Sequence, residues 1–221
     1  MLTIVPLPFD STLFNYPVGR ISINKDWNEE EFPAASKEFQ LIYLFSASPV
    51  QFNNPFIQLV DIKMTFEKQI NKPAEIPEIM PYQRPLSKEL QDLAFESGAY
   101  SRYKLDTRLV QGEFEKLYRI WIKKAWESNL VLEAPDLQGM VTYSVEDKAA
   151  KVGLIAVSKQ SQGKGWGKKL MKAAEAKTFS LGAKTIEVST QESNIPACKL
   201  YESLGYKLAE KTFVYHWYSE K

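Results

Sequence analysis

Apolar residues recur along this chain with two different periods. In VGRISI (18–23) and FIQLVDIKMTF (56–66) apolar and polar positions alternate in part, as on a half-buried strand, and QLIYLFSA (40–47) is a continuous apolar run. The charged segment 26–39, DWNEEEFPAASKEF, reads as helical although Pro33 interrupts it. Together these pieces predict a small amino-terminal α/β unit over residues 1–68. The stretch 69–85 carries Pro73, Pro77, Pro81 and Pro85, which remove amide donors and fix φ, so it reads as an extended linker. A third unit, 86–221, follows. Ser87 is a fitting N-cap for a short helix with Leu90, Leu93 and Ala94 on one face. After the polar, aromatic loop SGAYSRYKLDTRL (97–109), the residues Phe114, Leu117, Tyr118, Trp121, Ile122 and Ala125 keep the spacing of one buried helical face.

From residue 129 short strands alternate with helices. NLVLEAPD, LQGMVTYSVED and KVGLIAVS read as three strands, and GKGWGKKLMKAAEAKTFSLG as a helix ending at Gly182. KTIEVST is a strand, IPACKLYESLG a helix closing at Gly205, and YKLAEKTFVYHWY a final pair of strands. The fold class is α/β (α+β), a mixed central sheet flanked by helices.

Composition narrows the function. The chain has 221 residues, a net charge of +1 and a charged share of 25%, so no field of one sign draws it to nucleic acid or to an anionic membrane. No run approaches the ~20 apolar residues of a membrane-spanning helix, and the first residues lack the basic start and apolar core of a signal peptide. One cysteine, Cys198, forms no intrachain disulfide and suits a reducing cytoplasm. One cysteine and one histidine do not make a zinc site of about four ligands, so no metal is expected.

The segment SQGKGWGKK follows a strand and opens a helix. Gly163, Gly165 and Gly167 let a ligand approach the main chain, and the first-turn N–H groups of the helix, with Lys164, Lys168 and Lys169 nearby, suit a pyrophosphate. The spacing fits neither a Walker loop nor a dinucleotide fingerprint, since Lys168 stands where the latter needs its third glycine. A tight strand-to-helix connection with surface lysines is the plainer alternative.

Those residues, QGKGWG, resemble the Q/R-x-x-G-x-G/A phosphate-binding signature of the GNAT superfamily of acyl-CoA N-acyltransferases. Downstream, Asn194, Ala197, Leu200, Tyr201, Leu204, Gly205 and Tyr206 resemble its second signature, at the usual separation. The resemblance covers about residues 84–221. The amino-terminal unit, opening with PFDSTLFNYPVGRI, and the segment SRYKLD look more particularly like the dTDP-fucosamine acetyltransferase group, which acetylates the 4-amino group of a nucleotide-linked 4-amino-4,6-dideoxyhexose. That group tends to carry a basic residue before its catalytic tyrosine, where this chain has Leu200.

The resemblance implies acetyl-CoA as cosubstrate and a small-molecule amine as acceptor, and a homodimer is compatible with it. Ile155, Ala156 and Val157 would offer backbone groups to the pantetheine arm. Gln162, Gly163, Lys164, Gly165, Trp166, Gly167 and Lys168 would hold the diphosphate. Asn194 would touch the cosubstrate as well as cap its helix. Tyr201 would stabilise or protonate the departing thiolate; from spacing alone it reads as a core aromatic. Arg102, Tyr103 and Arg108 would meet the acceptor, Arg by bidentate pairing with a diphosphate. The base is not named by the sequence: Glu133, Asp106 and His216 are all candidates, and a lone strand histidine is more often structural. Cys198 reads as a small buried residue. A different amine acceptor (a protein amino terminus, a polyamine or an amino acid) and a non-catalytic coenzyme A-binding module are the alternatives.

Overall fold

The computed structural model describes residues 2–25, 27–71, 73, 76–109 and 112–219. Ten strands form a single sheet: β1 (Val5–Pro6), β2 (Val18–Ser22), β3 (Leu41–Ser46), β4 (Ile57–Gln69), β5 (Met80–Pro81), β6 (Val131–Glu133), β7 (Gly139–Glu146), β8 (Ala149–Val157), β9 (Thr185–Gln191) and β10 (Lys207–Tyr218). Among the described residues seven α-helices accompany them: α1 (Pro8–Phe14), α2 (Phe32–Ala35), α3 (Lys88–Ser97), α4 (Arg102–Leu105), α5 (Glu113–Glu127), α6 (Trp166–Ser180) and α7 (Ile195–Ser203). Across the sheet the order is β1-β2-β3-β10-β4-β9-β8-β7-β6-β5. The pairs β2/β3 and β8/β9 are parallel and the rest antiparallel. The fold is the mixed α/β arrangement that the alternating pattern predicts. Among the described residues no helix is long and apolar enough to cross a membrane.

Each face of the sheet has its own core. On one face Phe66, Val141, Val152, Ile186 and Val188 pack with Leu170, Met171 and Ala174 of α6 and Tyr201 and Leu204 of α7. On the other, Met140, Leu154 and Ala156 meet Leu90, Leu93 and Ala94 of α3 and Phe114, Leu117, Tyr118 and Ile122 of α5. Around the amino-terminal strands, Ile42, Leu44, Ile57, Phe213 and Tyr215 enclose Phe32.

Helix ends follow local chemistry. Ser87 Oγ accepts from the Leu90 amide at 3.2 Å and caps α3. Gly182 and Gly205 take positive φ after α6 and α7. In each, two backbone bonds close the last turn: Ala183 N to Thr178 O and Gly182 N to Phe179 O; Tyr206 N to Tyr201 O and Gly205 N to Glu202 O.

Four expectations change. The strands of residues 1–68 do not stand apart: β4 is hydrogen-bonded to both β9 and β10, and β10 lies between β3 and β4. The proline-rich segment is not wholly irregular, because Met80–Pro81 pairs with Leu132–Glu133 at the far edge, where a missing amide is tolerated; Lys72, Ala74 and Glu75 of that segment lie outside the described residues. The final pair of strands is one continuous strand, β10, since β4 runs equally long beside it and bulges absorb the polar stretch between. The helix in 26–39 is only a 3-10 turn, Glu29–Glu31, capped by Asn28, running into the single turn α2 with Pro33 at its start; Asp26 lies outside the described residues.

Candidate active site

Strands β8 and β9 are paired only from Ala149↔Thr185 to Val152↔Val188. Beyond Val152 they separate. The cause is a bulge: Val141 opposes Ile155 but Tyr143 opposes Val152, so β8 carries one extra residue, and Thr142 Oγ1 accepts the Leu154 amide at 2.8 Å in place of a ladder bond. From Gly153 to Val157 the β9-facing side of β8 therefore has no strand partner among the described residues. This split opens into a cavity of about 720 Å³ bounded by both cores. An extended chain with amide groups fits such an edge by strand addition.

Of the residues expected from the sequence, Ile155, Ala156, Val157, Gln162, Gly163, Gly165, Trp166, Gly167, Lys168, Asn194, Tyr201, Arg102 and Tyr103 all line this one cavity. Lys164 and Arg108 do not.

At the cofactor end, Gly163 and Gly165 have φ of 77° and 83°, and a Cβ at either would face open space. Gly165 is the N-cap of α6 and supplies no side-chain cap, so the first-turn amides point outward with the positive end of a fifteen-residue helix behind them. The turn is braced from behind. Trp166 Nε1 donates to Gln138 Oε1 at 3.0 Å, and Ser161 Oγ shares that acceptor at 3.3 Å. Gln162 Nε2 donates to the Val157 carbonyl at 3.3 Å. Gly167 packs closely, since a Cβ there would come within 3.2 Å of Leu200. Lys169 is turned away onto Glu78 at 2.8 Å and over the Trp166 ring, leaving Lys168 as the lysine of the turn that faces the cavity.

Tyr201 lies where the split meets α7. It is 2% exposed and packs against Phe66 and Tyr206 at ring separations of 5.7 and 6.1 Å. Burial, with a smaller contribution from Cys198, pushes its phenol well above the ordinary value, so it is a fixed hydroxyl donor. Asn194 caps α7 through Oδ1 to the Ala197 amide at 3.3 Å and ties it to β9 through Nδ2 to Thr190 Oγ1 at 3.1 Å. Cys198 is partly buried, and burial raises its thiol.

The opposite end of the cavity is aromatic and charged. The Arg102 guanidinium sits 4.4 Å from the Tyr103 ring centre and 5.0 Å from that of Tyr43. Its Nη2 donates to Tyr103 Oη at 2.7 Å, and its Nε is buried without a protein partner. Tyr118 and Trp121 of α5 complete the wall. Asp61 of β4, which no motif in the sequence singles out, also lines this end at 8% exposure. Burial raises its carboxyl to about 6, against the opposing pull of Arg102 and a hydrogen bond from Gln191.

The three bases considered from the sequence lie outside the cavity lining. Glu133 is paired with Arg84. Asp106 takes both Nε and Nη2 of Arg108, at 2.9 and 3.0 Å, and is 2.7 Å from His216 Nδ1. Burial opposes its charge, but the His216 and Arg108 hydrogen bonds outweigh this and hold it well below the carboxylate range. His216 is 0% exposed, and burial lowers it to about 4, so it is a neutral ring locked against Asp106. Arg108, expected at the acceptor, thus holds this buried cluster together, over the Tyr218 ring.

Comparison with known proteins agrees with this geometry. The model of the acetyltransferase (GNAT) family matches residues 88–206, more than half of the chain. A Bacillus subtilis (strain 168) protein named "Uncharacterized N-acetyltransferase YvbK" is 43% identical over 68 residues. That match takes in 31% of this chain and 44% of the relative, so the chain spans less than half the length of the curated relative it matches. A GCN5-related N-acetyltransferase from Sphaerobacter thermophilus superposes with a TM-score of 0.59 at 11% identity, covering 90% of this chain and 72% of that one. A putative GNAT-family acetyltransferase from Novosphingobium aromaticivorans DSM 12444 gives 0.57 at 16% identity, covering 94% and 86%. At such identities the two structures speak for the fold. The matched span contains the split strands, the glycine turn and Tyr201, and the chain belongs to the acetyltransferase (GNAT) family.

Proposed function

We propose that this chain moves the acetyl group of acetyl-CoA to a primary amine. One observation carries the proposal: the unpaired edge of β8, the glycine turn of α6 and Tyr201 all line a single cavity. The β8 edge would take the amides of the pantetheine arm, and the Gly163–Gly167 turn, with its uncapped helix amides and Lys168, would hold the diphosphate. A backbone N–H near Val157 would face the thioester oxygen, where such donors are typically worth on the order of a hundredfold in rate.

Tyr201 would donate a hydrogen bond to the sulfur as negative charge develops there. Reference acidities of about 8.5 for a thiol and about 10 for tyrosine already make full transfer uphill by roughly 2 kcal/mol. Burial raises Tyr201 further, so the transition state is better served by a strong hydrogen bond than by an early completed transfer.

For the acceptor, the reading we favour is a nucleotide-linked 4-amino-4,6-dideoxyhexose, handled in the cytoplasm for polysaccharide biosynthesis. Support comes from the far end of the cavity, where Arg102 brings a positive charge that suits a phosphate or other anion and Tyr103 and Trp121 offer rings to a sugar or base. The test has two parts. Titration calorimetry should show coenzyme A binding to the folded protein. A thiol-release assay with acetyl-CoA should then favour dTDP-4-amino-4,6-dideoxygalactose over spermidine, lysine and a peptide amino terminus. Absence of binding heat removes the proposal; preference for another amine changes the acceptor alone.

A further inference from the structure

We infer that Asp61 is the general base that prepares the acceptor amine, an inference that rests on the acetyltransferase reading above. Its position is built by the backbone. On β4, Asp61 opposes Val214 of β10, while Leu59 opposes Tyr215, so β4 carries an extra residue at Val60. This bulge changes the strand's alternation: Ile62 and Ile57 both join the apolar cluster of the amino-terminal half, while Asp61 and Lys63 line the cavity. Bulges that re-aim one side chain are common beside active sites. One strand over, Lys63 pairs with Gln191, so Asp61 stands next to the end of β9 that borders the split.

Two carboxylates line the cavity, Asp61 and Glu96 of α3. Glu96 already faces Lys159 at 3.7 Å. Asp61 makes no ion pair among the described residues. The charged and titratable groups that line the cavity with it are Lys63 on its own strand, Glu96 from α3, Tyr100 just before α4, Arg102 and Tyr103 from α4, Tyr118 from α5, Lys168 from α6 and Tyr201 from α7; Arg102 and Lys63 are the charges that act on its carboxyl. The neighbouring stretch Gly153–Val157 of β8 and Val214 of β10 bring none. Arg102 and Lys63 act on Asp61 without a direct ion pair and do not offset its burial; an incoming ammonium group would supply a contact charge. Burial also makes Asp61 a stronger base than an ordinary aspartate while leaving it ionised at neutral pH.

Asp61 takes one proton from the acceptor's ammonium group, leaving a neutral amine whose lone pair forms the C–N bond at the thioester carbonyl. The C–S bond then breaks, with its electron pair going to sulfur. The second nitrogen proton ends on sulfur by way of the Tyr201 hydroxyl, which gives its own proton and regains one. Asp61 returns its proton to water. The products are the acetamide, free coenzyme A and one proton.

Asp61→Asn and Asp61→Glu test this by release of the coenzyme A thiol from acetyl-CoA, with dTDP-4-amino-4,6-dideoxygalactose, spermidine and lysine as acceptors, across pH. For the wild-type protein kcat/KM should fall as pH drops through about 6. In Asp61→Asn, kcat/KM at neutral pH should drop roughly a hundredfold or more, and its low-pH limb should move up to the pKa of the acceptor amine itself. Coenzyme A affinity by calorimetry should stay within about threefold, and Asp61→Glu should restore a limb in the carboxylate range. The inference is overturned if wild type turns over and Asp61→Asn keeps kcat/KM within about threefold, or if its limb near 6 persists. Wild type that neither binds coenzyme A nor releases thiol with any of these amines overturns the acetyltransferase reading and the role of Asp61 together.

Discussion

Replacing Asp61 by Asn should make the protein more stable, and the amount can be worked from its surroundings. Asp61 is 8% exposed, and burial lifts its carboxyl from an ordinary 3.8 to about 6. At 1.36 kcal/mol per pH unit, that gap corresponds to about 3 kcal/mol by which the ionised group is less well accommodated in the folded protein than in the unfolded chain. The direction follows from linkage. A carboxyl raised by folding favours the native state when it is protonated; this contribution is complete below 3.8 and is lost as pH rises through about 6. Above that value wild type bears the full burden and an uncharged Asn does not. The Asn amide still needs hydrogen-bond partners in the same place, so a net gain of about 1–2 kcal/mol is expected. For a chain of this size that is roughly 2–8 °C in melting temperature. Thermal melts of both proteins at about pH 8 and about pH 4 measure it: the gap should be present at the first and shrink at the second. A variant melting at or below wild type at about pH 8, or a gap independent of pH, refutes the reasoning. Stability gained where activity is lost is the trade expected of a group kept for chemistry.

Tyr201→Phe should keep coenzyme A affinity and the melting temperature close to wild type while lowering kcat by roughly a hundredfold, read by thiol release. Gly165→Ala forces a residue with a side chain to φ near 83° and should cost about 1–2 kcal/mol in stability; it should also weaken coenzyme A binding roughly tenfold by calorimetry. Gly182→Ala, at φ 93° after the far end of α6, should show a similar stability loss with unchanged affinity. Asp106→Ala strands Arg108 and removes the partner of His216, and should lower stability by about 3–5 kcal/mol in chemical denaturation.

What the sequence revealed of the site is what local chemistry encodes. The glycine turn and the Asn194–Tyr206 segment are contiguous motifs, and their residues, apart from Lys164, reach the cavity or support it. Lys164 does not line the cavity, because charge near a phosphate site says nothing of the direction a surface side chain takes. Arg108 and Arg102 read alike in the loop, yet one neutralises a buried Asp106 and the other faces the cavity; the difference is set by β10, which brings His216 from more than a hundred residues away. Asp61 was invisible for the same reason. In FIQLVDIKMTF it is a polar position on an alternating strand, and only a bulge against β10 and the arrival of α4 make it a buried carboxylate. The fold was legible as a class because period and caps are local. The joining of residues 1–68 into the same sheet was not, since the pairing of β3 with β10 leaves no mark on either strand alone.

That pairing has a consequence for how the protein is made. Translation proceeds from the amino terminus, so β3 and β4 emerge long before the strand that will lie between them. Until then LIYLFS presents one flank with open hydrogen-bonding groups and apolar side chains, the kind of border that recruits another nascent chain or a holding chaperone. Residues 207–218 act as the keystone of the arch: a chain cut short before them keeps β3 and β4 but has no strand to join them.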